Sequence, residues 1–139
     1  MKTENEFNRY LREKMNFESV KAFKMSDRFQ IGAADWLIFA EGRVVAIESK
    51  FIKKVGSRGS LLKHPVTGPQ ITFMRGLEKV DVPGWILIGV GEERKMYLAF
   101  WDIFIDGNID VKVFRSKLEE GDITSYGMND VGELLNSVF

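Results

Sequence analysis

Apolar residues recur at helical spacing in Phe7, Tyr10, Leu11 and Met15, directly behind Thr3-Glu4-Asn5-Glu6. That leading tetrapeptide has the S/T-x-x-E form of a capping box, so a first helix is predicted from Thr3 to about Asn16. Val20 to Met25 alternates apolar and basic residues and predicts a short strand, while Ser26 to Ala34 fits no period. Asp35 to Ala40 and Arg43 to Phe51 are runs of strand formers separated by Glu41-Gly42, a hairpin with glycine in its turn. Lys53 to Lys63 is basic and rich in Gly and Ser, and predicts a mobile loop. Thr67-Gly68-Pro69 opens a second helix, with proline at the first turn and Ile71, Met74, Leu77 and Val80 as its apolar stripe. Pro83-Gly84 ends it. Trp85 to Val90 and Met96 to Trp101 then form a second hairpin across Glu92–Arg94, and Ile109 to Phe114 alternates like an edge strand. Asp130 is placed to cap a last helix carrying Val131, Leu134, Leu135 and Val138. Helix, strands, helix, strands predicts one mixed α/β domain over residues 1–139.

Composition narrows the chemistry. The 139 residues include one His and no Cys. Disulfides, thiolate zinc sites and cysteine nucleophiles are excluded, as is any site needing two imidazoles from one chain. Carboxylates, lysines and hard metals remain. The N-terminal segment is polar, with no apolar core of a secretion signal, and the Trp85–Val90 run is far too short to span a bilayer. An intracellular setting, cytoplasmic or nucleoid-associated, is the expectation.

The first hairpin brings such groups together. With Glu41-Gly42 as its turn, paired residues have numbers summing to 83, so Leu37 faces Ala46 and Asp35 faces Glu48. Opposed residues share a sheet face with Cβ atoms roughly 5 Å apart. Lys50, two residues past Glu48, projects to that face too. Two opposed carboxylates repel unless a cation lies between them, and Mg²⁺ takes one or two carboxylates with water and phosphate. A metal there would activate water for phosphodiester hydrolysis. Lys50 would orient or deprotonate that water, or stabilise the charged transition state. The plain alternative is a strand start at Asp35 beside a solvated Glu-x-Lys.

Gly32-Ala33-Ala34-Asp35, Ala46-Ile47-Glu48-Ser49-Lys50 and His64-Pro65-Val66-Thr67-Gly68-Pro69-Gln70 together resemble the PD-(D/E)XK nuclease superfamily, over residues 3–100. The Holliday-junction-resolvase-like and virus-type replication-repair nucleases are the most similar branches. Ala34 departs from the pattern, which has a backbone-shaping Pro before the Asp. The resemblance implies a restriction-endonuclease-like core, a mixed central sheet flanked by helices. It implies Asp35, Glu48 and the Ser49 carbonyl as ligands of Mg²⁺ or Mn²⁺, Lys50 as catalytic lysine, and Gln70 pointing into the site from the second helix. An acidic residue of the first helix often joins the ligands. Glu6 matches by position, although the capping box already explains it, and Glu13 is the alternative.

Charge is unevenly spread. The chain has 20 basic and 20 acidic residues, a net charge of zero. Between Ser49 and His64, however, lie Lys50, Lys53, Lys54, Arg58 and Lys63 without one acid, while Glu119, Glu120, Asp122, Asp130 and Glu133 gather near the C-terminus. Lys53, Lys54, Arg58, Lys63 and His64 are thus candidate phosphate contacts, and the acidic end is expected to face away from DNA. The expectation is a metal-dependent DNA endonuclease acting on branched or structured DNA, with 5′-phosphate products implied by the resemblance. A homodimer is expected, because resolving a junction needs two cuts, with Met96–Trp101 either contributing an interface or buried in the core. A restriction- or repair-type nuclease, a non-catalytic DNA- or protein-binding member of the fold, and an unrelated α/β domain remain as rivals.

Overall fold

The computed structural model describes residues 1–25 and 32–139; most of the undecided Ser26–Ala34 stretch lies outside them. Thr3 opens helix α1 (Glu4–Met15), its hydroxyl accepting the Glu6 N–H. The Glu6 carboxylate accepts the backbone N–H of Lys2 (2.8 Å), one residue earlier than a capping box requires. Strand β1 (Lys21–Lys24) pairs with β2 (Trp36–Ala40), and β2 with β3 (Arg43–Ile52), both antiparallel. The β2–β3 register is Leu37↔Ala46 and Ala40↔Arg43, the sum of 83 expected from the turn. Glu41 (φ 52°) and Gly42 (φ 77°) are both left-handed, the conformation that matches the twist of a two-residue hairpin.

The chain then leaves the sheet through helix α2 (Gly68–Glu78) and returns as β4 (Gly84–Val90), parallel to β3 with Glu48↔Ile86 and Lys50↔Ile88. Strand β5 (Lys95–Phe100) pairs antiparallel with β4, a 3₁₀ turn covers Trp101–Phe104, and helix α3 (Val111–Glu120), strand β6 (Ile123–Gly127) and helix α4 (Val131–Val138) follow. Among the described residues the six strands lie in chain order.

Alternating side chains sort this sheet into two faces. Phe7, Leu11 and Met15 of α1 and Val131, Leu134 and Leu135 of α4 cover Trp36, Ile38, Val45, Ile47, Leu87 and Leu98. Ile71 and Met74 of α2, Phe104 and Phe114 cover Ala46, Ile52, Ile86, Ile88 and Ile123 on the other side. This is the expected mixed sheet flanked by helices. Among the described residues no helix is long and apolar enough to cross a membrane.

Three expectations are corrected, and one open choice is decided. Ile109–Phe114 is no strand: the Asp110 carboxylate accepts the Lys112 N–H (2.8 Å) and starts α3, whose Val111, Phe114 and Leu118 follow helical spacing. Val80 is past the end of α2 and 67% exposed, so the apolar stripe stops at Leu77. Asp130 stands at the start of α4 but makes no side-chain capping bond. Met96–Phe100 is an inner strand with Met96 and Ala99 fully buried, which leaves core burial as its role rather than an interface.

A candidate active site at the end of the first hairpin

Strand β3 runs ten residues and β2 only five, so β3 outlasts its neighbour near Ser49. The Ser49 backbone N–H, which a longer β2 would have paired, is taken by the Asp35 carboxylate: Oδ2 accepts from it at 3.0 Å and lies 2.8 Å from the Ser49 hydroxyl. A residue's N–H and C=O leave the same side of a strand, so the Ser49 carbonyl is directed to that same open edge. Asp35 stands one residue beyond the last paired position, Trp36↔Ile47, and its N–H donates to Glu48 Oε1 (3.1 Å). The two carboxylates are therefore adjacent, but they do not lie side by side on one face as the pairing rule alone suggests. Glu48 lies on the α2 face. The Asp35 carboxylate caps the sheet edge.

Glu48 is 3% exposed and Lys50 7%, flanking the buried Ser49 in a core that is otherwise apolar among the described residues. Lys50 Nζ lies 3.7 Å from Glu48 Oε2 and donates to the Pro65 carbonyl at 3.3 Å. Gln70 completes the cluster in a way its sequence position predicts. The Thr67 N–H donates to Gln70 Oε1 (2.9 Å) in a capping box at the start of α2. With its oxygen held, the amide turns Nε2 outward, and it donates to Glu48 Oε2 at 2.8 Å. Gly32 permits this approach: at φ +83°, it packs so tightly that a Cβ would lie 2.6 Å from the Pro69 carbonyl carbon. A side chain there would push α2 and Gln70 off the hairpin.

Burial pushes the Glu48 carboxyl up to about 8, with the Asp35 and Glu4 charges adding to it and Lys50 and the Asp35 N–H opposing. Glu4 was not among the candidates. Its carboxyl is also raised, by loss of solvent on its inner side, and it is close enough to respond to Lys50, Asp35, His64 and Lys24. Glu6 is exposed and tied to Lys2, and neither it nor Glu13 lines a cleft at the site. Helical phase is the signal that separates them. Glu4 stands three and seven residues before Phe7 and Leu11 and continues the line of their buried stripe, whereas Glu6 lies about 200° further round the helix than Glu4. Asn8, one turn after Glu4, accepts from Trp36 Nε1 (3.2 Å) and contacts the Ser49 hydroxyl.

Two clefts meet at Glu4 and Asn5. One, of about 740 Å³, is lined by Lys2, Lys50, Lys53, Lys54, Lys63 and His64. The other, about 410 Å³, holds Asp35, Asn8, Arg9, Arg12 and Lys24. Arg58 is exposed on the same basic loop but outside both linings. The expectation of a mobile loop is corrected. Leu61 and Val66 donate N–H groups to Ile109 and Gly107 (2.8 Å each), and the Asn108 side chain bonds both the N–H and the carbonyl of Leu62. With Leu61, Leu62 and Val66 buried, the loop is pinned to the segment before α3, which fixes the Pro65 carbonyl over Lys50. Glu119, Glu120 and Asp122 belong to the end of α3 and the turn into β6, the strand at the far edge of the sheet. That edge lies three strands beyond β3, about 14 Å at ordinary strand spacing.

Among the described residues no three acidic or imidazole side chains converge closely enough to hold a metal alone. A pair of carboxylates with water and substrate oxygens completing the shell is the arrangement Mg²⁺ favours, and the all-oxygen donors of Asp35, Glu48 and the Ser49 carbonyl fit it.

No protein-family model and no curated protein matches the chain. Among solved structures, Hjc from Archaeoglobus fulgidus, a Holliday junction resolvase from an archaeal hyperthermophile, is similar with a TM-score of 0.57 at 11% identity, across 94% of this chain and 99% of that one. The chain thus shares its fold with that protein.

Proposed function

We propose that the chain is a Mg²⁺- or Mn²⁺-dependent DNA endonuclease, with branched DNA of the Holliday-junction kind as its substrate class. The observation that carries the reading is the buried Glu48–Lys50 pair, joined to Asp35 through one N–H and to α2 through Gln70. Burying two ionisable groups in an apolar sheet costs stability, and a fold tends to keep such groups where they do chemistry. The fold's likeness to a resolvase supports the substrate class.

Asp35 and Glu48 would hold the cation, with the Ser49 carbonyl beside them. A bound ion would supply an acidified water and charge neutralisation at the phosphate. Lys50, anchored on Pro65, brings its ammonium to the same point and stabilises negative charge developing on the phosphate oxygens. Gln70 keeps the Glu48 carboxylate from rotating. Lys2, Lys53, Lys54, Lys63 and His64 give the larger cleft a wall suited to a phosphate backbone. Two cuts resolve a four-way junction, so the reading includes two copies of the chain on one substrate.

Cleavage of labelled duplex, nicked, flap and four-way DNA with Mg²⁺, Mn²⁺ or EDTA tests the reading. Metal-dependent cutting with preference for the four-way substrate supports it. Equal cutting of plain duplex would favour a restriction- or repair-type nuclease, and binding without cutting a non-catalytic member of the fold. Neutralising Lys53, Lys54 and Lys63 together should lower the slope of log affinity against log salt by about 2–3. Fluorescence anisotropy between 50 and 200 mM salt reads this, and an unchanged slope removes the loop from the interface.

A further inference from the structure

The oxygens of the carboxylate pair are not held alike. Asp35 Oδ2 faces the Ser49 N–H, a backbone donor that cannot leave, together with the Ser49 hydroxyl. Glu48 Oε1 faces the Asp35 N–H, also backbone, and Oε2 faces the Gln70 amide, whose other end is fixed by Thr67. Asp35 Oδ1 differs. Its partner is the ammonium of Lys24 at 3.0 Å, the end of a flexible four-carbon side chain.

Lys24 is held to this position by the sheet. It ends β1 in register with Trp36, and the next N–H, of Met25, donates to the Asp35 carbonyl at 2.8 Å. Its ammonium lies 5.8 Å from the centre of the Trp36 ring, as does the Arg12 guanidinium. Two cations thus flank one ring beside one carboxylate, and Lys24 has solvent on one side to retreat into, at 26% side-chain exposure. The point of easiest entry for a cation to the pair is therefore already occupied by a cation.

We propose that Lys24 acts as a resident counter-charge on Asp35 that a divalent metal must displace, so that it sets the affinity of the site for metal. The proposal rests on the reading of Asp35 as a metal ligand. Lys24 neutralises the edge carboxylate while the site is metal-free, and its release is part of metal binding. Removing the ammonium while keeping the aliphatic stem over Trp36 should make metal binding tighter. The other described partners of the Asp35 carboxylate, the Ser49 N–H and hydroxyl, are donors that position it.

Mn²⁺ binding to the metal-free protein without DNA, read from the loss of the free-ion paramagnetic resonance signal, tests this on wild type, Lys24→Met and Lys24→Arg. Lys24→Met should bind about three- to fivefold more tightly, the equivalent of one partly exposed ion pair. Lys24→Arg, which keeps the charge, should bind like wild type, and Lys24→Met should show the larger rise in melting temperature on adding Mn²⁺. Unchanged or weaker binding by Lys24→Met overturns the proposal and leaves the metal reading standing. No Mn²⁺ binding by any of the three overturns the metal reading and this proposal with it.

Discussion

Replacing Glu48 by Gln should flatten a pH dependence of stability that the wild type carries between about pH 5 and 8. The Glu48 carboxyl is raised from 4.5 to about 8 in the folded chain, first by burial and then by the Asp35 charge. Across that window the folded state keeps a proton that the unfolded state releases, so metal-free stability falls as pH rises. Below about 4.5 both states are protonated and nothing is lost; above about 8 the penalty is complete. The gap between the wild-type and Glu48→Gln stability curves should therefore change by on the order of 3–5 kcal/mol from pH 4 to pH 9. Comparing the change in that gap, rather than either curve, removes the constant cost of facing a second amide toward Gln70. Urea unfolding in EDTA at stepped pH measures it. Parallel curves would mean that Glu48 is ionised throughout, and the description of a buried, proton-holding carboxyl would be wrong.

The second large effect concerns Lys50. Lys50→Met keeps the stem length and removes the ammonium that bridges Glu48 and the Pro65 carbonyl. Cleavage should fall by about 10³-fold, the range seen when a preorganised charge-stabilising donor is lost. DNA affinity should change little, because one lysine among those lining the cleft contributes a small part of the backbone attraction. Single-turnover rates at saturating enzyme, set beside anisotropy binding curves, separate the two. Equal losses in rate and affinity would make Lys50 a phosphate contact rather than a catalytic group.

Much of this site follows from local rules. A two-residue turn at Glu41-Gly42 fixes the hairpin register, and the register brings Asp35 to Glu48. The Thr67-Gly68-Pro69-Gln70 start of α2 is a capping box, and the box leaves only one end of the Gln70 amide free for Glu48. Other parts depend on contacts far apart in the chain. The basic segment has the composition of a mobile loop, yet Asn108 and the Gly107 and Ile109 carbonyls pin it from nearly fifty residues away. Ile109–Phe114 satisfies a period of two as well as the Val111–Phe114–Leu118 spacing, and the Asp110 cap decides between them. Strand β6 has Ile123 buried but Thr124 and Ser125 exposed at the sheet edge, too weak a pattern to announce a strand. Glu4 was legible in principle, since it lies on the phase of Phe7 and Leu11, but a capping box draws attention to Glu6.

In the proposed reading, Asp35, Glu48 and Lys50 form a metal-dependent nuclease site. Single-turnover cleavage of a four-way junction in Mg²⁺ and in EDTA, by wild type beside Asp35→Asn, tests it most directly. The wild type should cut in Mg²⁺ only, and Asp35→Asn should lose about 10³-fold or more in rate with junction binding retained. Cutting by Asp35→Asn at the wild-type rate, or by the wild type in EDTA, would contradict it.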